Sequence, residues 1–214
     1  MAHLKRQKIP KNWPIPRKGT TFVVKPISMK GIPILIILRD LLKIAQTRKE
    51  VKKAIHKKNL LLNNKLVKDE KMAMVLFDTL SLLPSKTYYK LGFSKKGKFE
   101  LKEIKENEAN KKIAKIINKK VLKGKKVQLN LSDGINFLSD IKCSTNDSVL
   151  INFKDKKIEK FISLKEKAKV IIFAGKHAGE TGVIKELKPE RKMAKINNGK
   201  KDINILIKHL MVTE

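Results

Sequence analysis

The chain is poor in the residues that build covalent or metal-bound frameworks. Of 214 residues only Cys143 is a cysteine, which excludes a disulfide scaffold and a cysteine-based zinc site. His3, His56, His177 and His209 lie far apart without metal-ligand spacing, so no metal is expected. Catalytic signals are missing too, since no Ser-His-Asp set or carboxylate pair can be assembled from nearby positions. Gly175-Lys176 is not a P-loop, because Val170 stands where the first glycine belongs and His177 follows the lysine. Gly175, Gly179 and Gly182 also lack the dinucleotide spacing. No catalytic residue, cofactor or small-molecule substrate is expected. Long apolar runs are absent: Ile32–Leu38 contains Pro33, stops at Arg39-Asp40, and falls far short of the about 20 residues a membrane span needs. The N-terminus is basic without the apolar segment of a signal peptide. These absences predict a soluble, intracellular protein with no membrane partner.

Acidic residues are scarce as well. Lys and Arg number 51 against 20 Asp and Glu, a formal net charge of +31. Such self-repulsion opposes compactness in a protein working alone and points to a polyanionic partner. Residues 1–70 hold 18 Lys/Arg and 4 Asp/Glu, whereas residues 171–214 hold 9 and 5; the main phosphate-facing surface should therefore be N-terminal. A hydrophobic content of 41% is enough for folded cores rather than disorder. With 5% aromatics those cores should be aliphatic and small. The length fits one to three small domains.

Ile34–Leu66 carries the densest signal, two helices followed by a hairpin. Leu35, Leu38, Leu42 and Ala45 recur at helical spacing, although a strand over Ile34–Leu38 is an alternative. Thr47-Arg48-Lys49-Glu50 has the spacing of a capping box. Behind it Val51, Ala54 and Ile55 make an apolar stripe. Lys49, Lys53 and Lys57 form one i, i+4 row, with Arg48 and Lys52 beside it and Arg39 and Lys43 on the preceding helix. Cations held this close repel one another, and nucleic-acid phosphate would relieve the repulsion. Asn63-Asn64, between two apolar runs, predicts a two-residue hairpin turn.

Residues 1–30 read as an extended basic tail with Pro10, Pro14 and Pro16. Its candidate RNA contacts are His3, Lys5, Arg6, Lys8, Lys11 and Arg17. Trp13 has two readings, an anchor packed onto the body or a platform for a base. Beyond the hairpin, Val75–Leu83 adds strand material. Lys86–Leu164 reads as mostly β. Tyr88–Phe93 and Lys98–Ile104 meet at a basic tip, Lys95-Lys96-Gly97; Val127–Leu131 returns through Ile135–Leu138; Ser148–Phe153 pairs with Lys157–Ser163. Asn107–Leu122, with Ala109, Ile113, Ile116 and Ile117, predicts a short helix. The final stretch, Lys165–Glu214, has strands around a glycine-rich loop, where Lys176 and His177 can approach phosphate.

Three features in order resemble one family. The pattern His3-x-Lys5-Arg6-x-x-x-Pro10-x-x-Trp13-x-Ile15 is similar to the N-terminal signature of the archaeal and eukaryotic ribosomal protein family S4e. Ile34–Val67 resembles the RNA-binding domain that this family shares with bacterial ribosomal protein S4 and several RNA-modifying enzymes. Val170–Ile184 resembles a KOW motif. Gln7 departs from the family's apolar preference. Arginine occurs only at positions 6, 17, 39, 48 and 191, and lysine cannot form arginine's bidentate fork; contacts should therefore be largely blind to sequence.

The resemblance implies a multidomain α+β chain: an extended basic tail (1–30), a helix-helix-hairpin RNA-binding domain (31–85), a central β-rich domain (86–164) and a small SH3-like KOW barrel (165–214). It also implies a non-enzymatic constituent of the small ribosomal subunit in the cytoplasm. Its partners would be small-subunit ribosomal RNA and neighbouring small-subunit proteins. Two rivals share the modules: an RNA-modifying enzyme of the pseudouridine-synthase type and a KOW-containing transcription factor.

Overall fold

The structure, a computed structural model, describes residues 3–94, 96–123, 126–139, 143–188, 190–199 and 201–213. These form a mostly β structure with few helices. The chain divides into two units, Met1–Ser94 with Lys98–Asn110 and Lys95–Gly97 with Lys111–Glu214.

In the first unit the basic N-terminal segment folds back instead of extending. Strand β1 (Leu4–Lys5) pairs antiparallel with β2 (Phe22–Val23). Leu4, Ile9, Trp13 and Ile15 enter the same core as the two-helix region. This corrects the expectation of an extended tail. Four apolar side chains set among the prolines and lysines give the segment something to bury, and burial opposes the entropy of a free arm.

Strand β3 (Ile32–Pro33) leads into α1 (Ile34–Ile36), which widens into a π turn over Ile37–Leu41, where Leu42 N–H donates to the Ile37 carbonyl at 2.9 Å. Every residue from Ile32 to Leu38 is buried, as expected of a run apolar on all sides; Ile34–Leu38 is helical rather than extended. Helix α2 (Arg48–His56) buries Val51 and Ile55. Strands β4 (Leu60–Leu62) and β5 (Lys65–Leu66) then form the Asn63-Asn64 hairpin, both asparagines at positive φ (50° and 60°). That backbone matches the type I′ turn, whose twist suits the flanking strands. Strand β6 (Ala73–Met74) pairs with β3. With β7 (Thr79–Leu82), β8 (Thr87–Phe93) and β9 (Phe99–Ile104), the hairpin completes a five-stranded sheet in the order β5-β4-β7-β8-β9.

Of the expected Asn107–Leu122 helix only Asn107–Ala109 is helical, in α3 (Glu106–Ala109); most of the rest is β10 (Lys111–Val121). The spacing of Ala109, Ile113, Ile116 and Ile117 suggested a helix, but buried Lys112 on one face of the strand and buried Lys115 on the other hid its alternation. Strand β10 is central in the first sheet of the second unit, between β11 (Val127–Leu131) with β12 (Asn136–Ser139) on one side and β13 (Ser148–Asn152) with β14 (Lys157–Ile162) on the other. A second sheet holds β15 (Lys169–Ile172), β16 (Thr181–Lys188), β17 (Met193–Asn197), β18 (Asp202–Leu206) and β19 (Leu210–Val212), in the order β18-β17-β16-β15-β19. Buried Lys115 and Ser148 tie the two sheets together. Lys115 Nζ donates to the carbonyls of Ile207 (2.5 Å) and Leu210 (2.8 Å). Ser148 Oγ accepts from Val212 N–H at 3.0 Å.

Candidate nucleic-acid interface

Helix α2 is held at its start by the capping box that its sequence predicts. Thr47 Oγ1 accepts from Glu50 N–H, and the Thr47 hydroxyl donates to Glu50 Oε1 at 2.9 Å. The reciprocal arm reaches one residue further back than the usual box: Glu50 Oε2 accepts from Gln46 N–H at 2.8 Å. The Gln46 amide and the Thr47 hydroxyl together hold the Glu50 carboxyl below its ordinary pKa. With Val51 and Ile55 turned inward, Lys49, Lys52, Lys53 and Lys57 stand exposed. Among the described residues none of these four lysines makes an ion pair, so a row of cations on a fixed helix faces solvent unneutralised.

The arginines behave differently. Arg48 donates through Nε to Glu70 Oε1 at 2.7 Å, with Nη2 on the same oxygen, and Glu70 is 2% exposed. Arg39 forks onto its neighbour, with Nε on Asp40 Oδ1 at 3.0 Å and Nη2 on Asp40 Oδ2 at 2.9 Å. These bonds raise both guanidinium pKa values. Arg6 clamps its own loop, donating to the Thr20 carbonyl (2.7 Å), the Pro16 carbonyl (3.0 Å) and Thr20 Oγ1 (2.7 Å).

The remaining candidates fall in several places. Lys5, Lys8, Lys11, Arg17 and Lys43 are exposed, Lys43 at a φ of 55°. The His3 ring lies 5.6 Å from Phe22. Trp13 is buried, at 2% exposure, among Leu4, Ile9 and the α1 residues. A ring in that position cannot offer a face to a base, so the anchor reading replaces the platform. Lys96 is exposed at the β8–β9 turn, whereas Lys95 lies outside the described residues. In the second unit Lys176 is exposed, and His177 Nδ1 is 3.0 Å from Glu180 Oε1. Glu180 Oε2 accepts from Asn198 at 2.8 Å. Gly175 and Gly179 take positive φ (both 92°), and a Cβ at Gly182 would meet the Asn197 carbonyl at 2.5 Å, so the loop needs these glycines.

Within the first unit Arg6, Arg39 and Lys43 come together around one open cleft of about 850 Å³, which Lys18 and Gln46 also line. Sequence reasoning missed Lys18 and Gln46, because nothing local marks residues that a fold brings together across 28 positions. It also missed Glu70, Lys112 and Lys115. Lys112 pairs with Asp133 at 2.6 Å, both nearly inaccessible. Burial lowers Lys115 to a pKa of about 8.

Comparison with known proteins decides the family. A profile described as Ribosomal family S4e matches residues 85–158, and one described as RS4NT (NUC023) domain matches residues 2–28. The small ribosomal subunit protein eS4 of Methanocella arvoryzae is 37% identical over 197 residues, covering 90% of this chain and 83% of its own. The chain belongs to the S4e family. Another S4e relative, the small ribosomal subunit protein eS4 of Nanoarchaeum equitans, is 36% identical over 191 residues, covering 86% and 82%. The crystal structure of the 30S ribosomal protein S4e from Thermoplasma acidophilum has the same fold as this S4e chain. It matches with a TM-score of 0.74 at 22% identity and covers 86% of this chain and 94% of that one. No helix of the described residues is long and apolar enough to cross a membrane.

Proposed function

We propose that this S4e-family chain is a non-enzymatic structural constituent of the small ribosomal subunit. In this reading it binds small-subunit ribosomal RNA and supports subunit assembly and translation. The observation that carries it is the exposed lysine row Lys49, Lys53 and Lys57, without an ion pair among the described residues, on a capped, anchored helix in a chain whose relatives are named small ribosomal subunit proteins. Lysines in such a row act as point charges that displace counterions from the RNA backbone, which makes binding strong at low salt and largely blind to sequence. Exposed Lys5, Lys8, Lys11, Arg17, Lys96 and Lys176 add to the same electrostatic term. Arg6, Arg39 and Arg48 contribute chiefly by shaping the surface, since their donors already hold protein atoms.

The finer parts of this reading are a helix-helix-hairpin RNA-binding domain at 31–85, a β-rich domain at 86–164 and a KOW barrel at 165–214. Neighbouring small-subunit proteins complete the set of partners, and the cytoplasmic ribosome is the location. The five-stranded sheet around the Gly175–Gly182 loop supports the KOW assignment, and the α1–α2–hairpin order supports the first. Neither the pseudouridine-synthase reading nor the transcription-factor reading gains support from the relatives.

Salt dependence tests the mechanism. If the chain neutralises about ten phosphates, the log–log slope of affinity against salt is about −7 to −9. Lys49→Glu combined with Lys53→Glu should lower the steepness by at least about 2 and weaken ribosomal RNA binding strongly. Its unfolding free energy should move by no more than about 0.5 kcal/mol, because both side chains are exposed. A folded double mutant that binds with unchanged affinity and slope would transfer the binding role elsewhere.

A further inference from the structure

The cleft in the first unit has walls of unlike chemistry. Pro14, Pro16, Lys18, Arg39, Lys43 and Gln46 line it, with the Asp40 carboxylate in the same wall as Arg39. A site built for phosphate alone would not place a carboxylate beside its cations, and a purely apolar guest would strip water from Lys18, Lys43 and the Arg39–Asp40 pair without replacing its hydrogen bonds. A nucleobase satisfies both demands, having flat apolar faces and an edge of donors and acceptors. The proline rings give one face something flat to lie against. The Arg39 guanidinium, locked in plane by its two bonds to Asp40 at 3.0 and 2.9 Å, is a stacking surface for the other.

Both walls of the cleft are braced by hydrogen bonds within the chain. Three donors of Arg6 fix the Pro16–Thr20 loop that forms one wall. The opposite wall follows the π turn, where Ile44 N–H and Ala45 N–H both donate to the Leu38 carbonyl, at 3.0 and 3.3 Å. Preorganisation of this kind lowers the cost of ordering on binding.

We propose that this cleft seats a single unstacked base of a single-stranded RNA segment, with Lys18 and Lys43 on the phosphates either side of it. The inference rests on the ribosomal reading above and names the element of RNA that the first unit grips other than through backbone charge.

The test uses the full chain assembled into small subunits, with Gln46 at the cleft mouth replaced by photoreactive p-benzoylphenylalanine. Irradiation should attach the protein to one short stretch of small-subunit ribosomal RNA. Arg39→Leu with Lys43→Gly should lower that yield by about 5- to 150-fold, the range expected for losing one base stack. Lys43→Gly alone keeps the backbone, because residue 43 already has positive φ, and should give a smaller fall if the pair disturbs folding. Attachment to a protein, no attachment from subunits that contain the chain, or a yield insensitive to both variants would overturn the inference while leaving the ribosomal reading intact. A chain that never sediments with small subunits would overturn both.

Discussion

Lysines serve opposite purposes on α2 and on β10. Along α2 and its C-cap, Lys49, Lys53 and Lys57 are exposed and make no ion pair among the described residues, and the helix stands on Val51 and Ile55 instead. On β10, Lys112 and Lys115 are 2% and 3% exposed; the first pairs with Asp133 and the second with two carbonyls near the C-terminal strand. The same side chain is thus an uncommitted charge in one unit and an internal fastener in the other. Net charge alone does not measure how much of a protein faces its RNA. What decides it is whether the local fold supplies an acceptor before the RNA does.

The largest effect should come from breaking a fastener. Lys112→Ala leaves the Asp133 carboxylate buried and uncompensated, and should destabilise the second unit by about 3–5 kcal/mol, read from denaturant unfolding. The RNA affinity of the fraction that remains folded should be unchanged. Equal losses of stability from Lys112→Ala and from Lys49→Ala would erase the distinction between the two regions.

Lys115 gives a second contrast, visible in pH. Its pKa falls from the ordinary 10.5 to about 8 because burial penalises the cation. Below about 8 it is charged in both folded and unfolded chains, and above 10.5 it is neutral in both. Between those limits the unfolded chain binds more protons, so stability from this group rises with pH. Wild type should therefore gain stability relative to Lys115→Met on going from pH 8 to pH 10.5. Parallel pH profiles for the two proteins in thermal or chemical unfolding would show that the buried ammonium carries no such penalty.

The smallest effect concerns how firmly α2 holds its charges. Thr47→Ala removes the hydroxyl that caps the helix and should cost about 1 kcal/mol of stability. Because the lysine row depends on that helix, RNA binding should weaken only modestly. A loss of binding as large as that of the Lys49→Glu, Lys53→Glu pair would mean that the cap orders the whole face.

Local signals were legible and distant ones were not. The capping box, the Asn63-Asn64 turn and the glycine loop each declare themselves within four to eight residues, because the chemistry that fixes them is local. The β8–β9 hairpin and the strands of the last sheet were legible from alternation and turn residues. Strand β10 was not. Lysines at its inward positions broke the period, and their acceptors lie 21 to 95 residues away. Trp13 was ambiguous for the same reason, since only the folded core shows which surface it meets. The candidate site divides along that line too. The lysine row was visible in sequence, whereas the partners of Arg6 and Arg48 lie 10 to 22 residues away and the cleft joins residues as distant as Arg6 and Gln46.

The arginine forks have one more consequence. Positions 6, 39 and 48 are addresses: each guanidinium answers to named oxygens, and moving it by one residue would strand a carboxylate or release a loop. The outer lysines form something closer to a population. One could vanish from α2 and another arise a turn away with little change in the field around the helix, so along this surface the number of cations is the trait and their individual seats are negotiable.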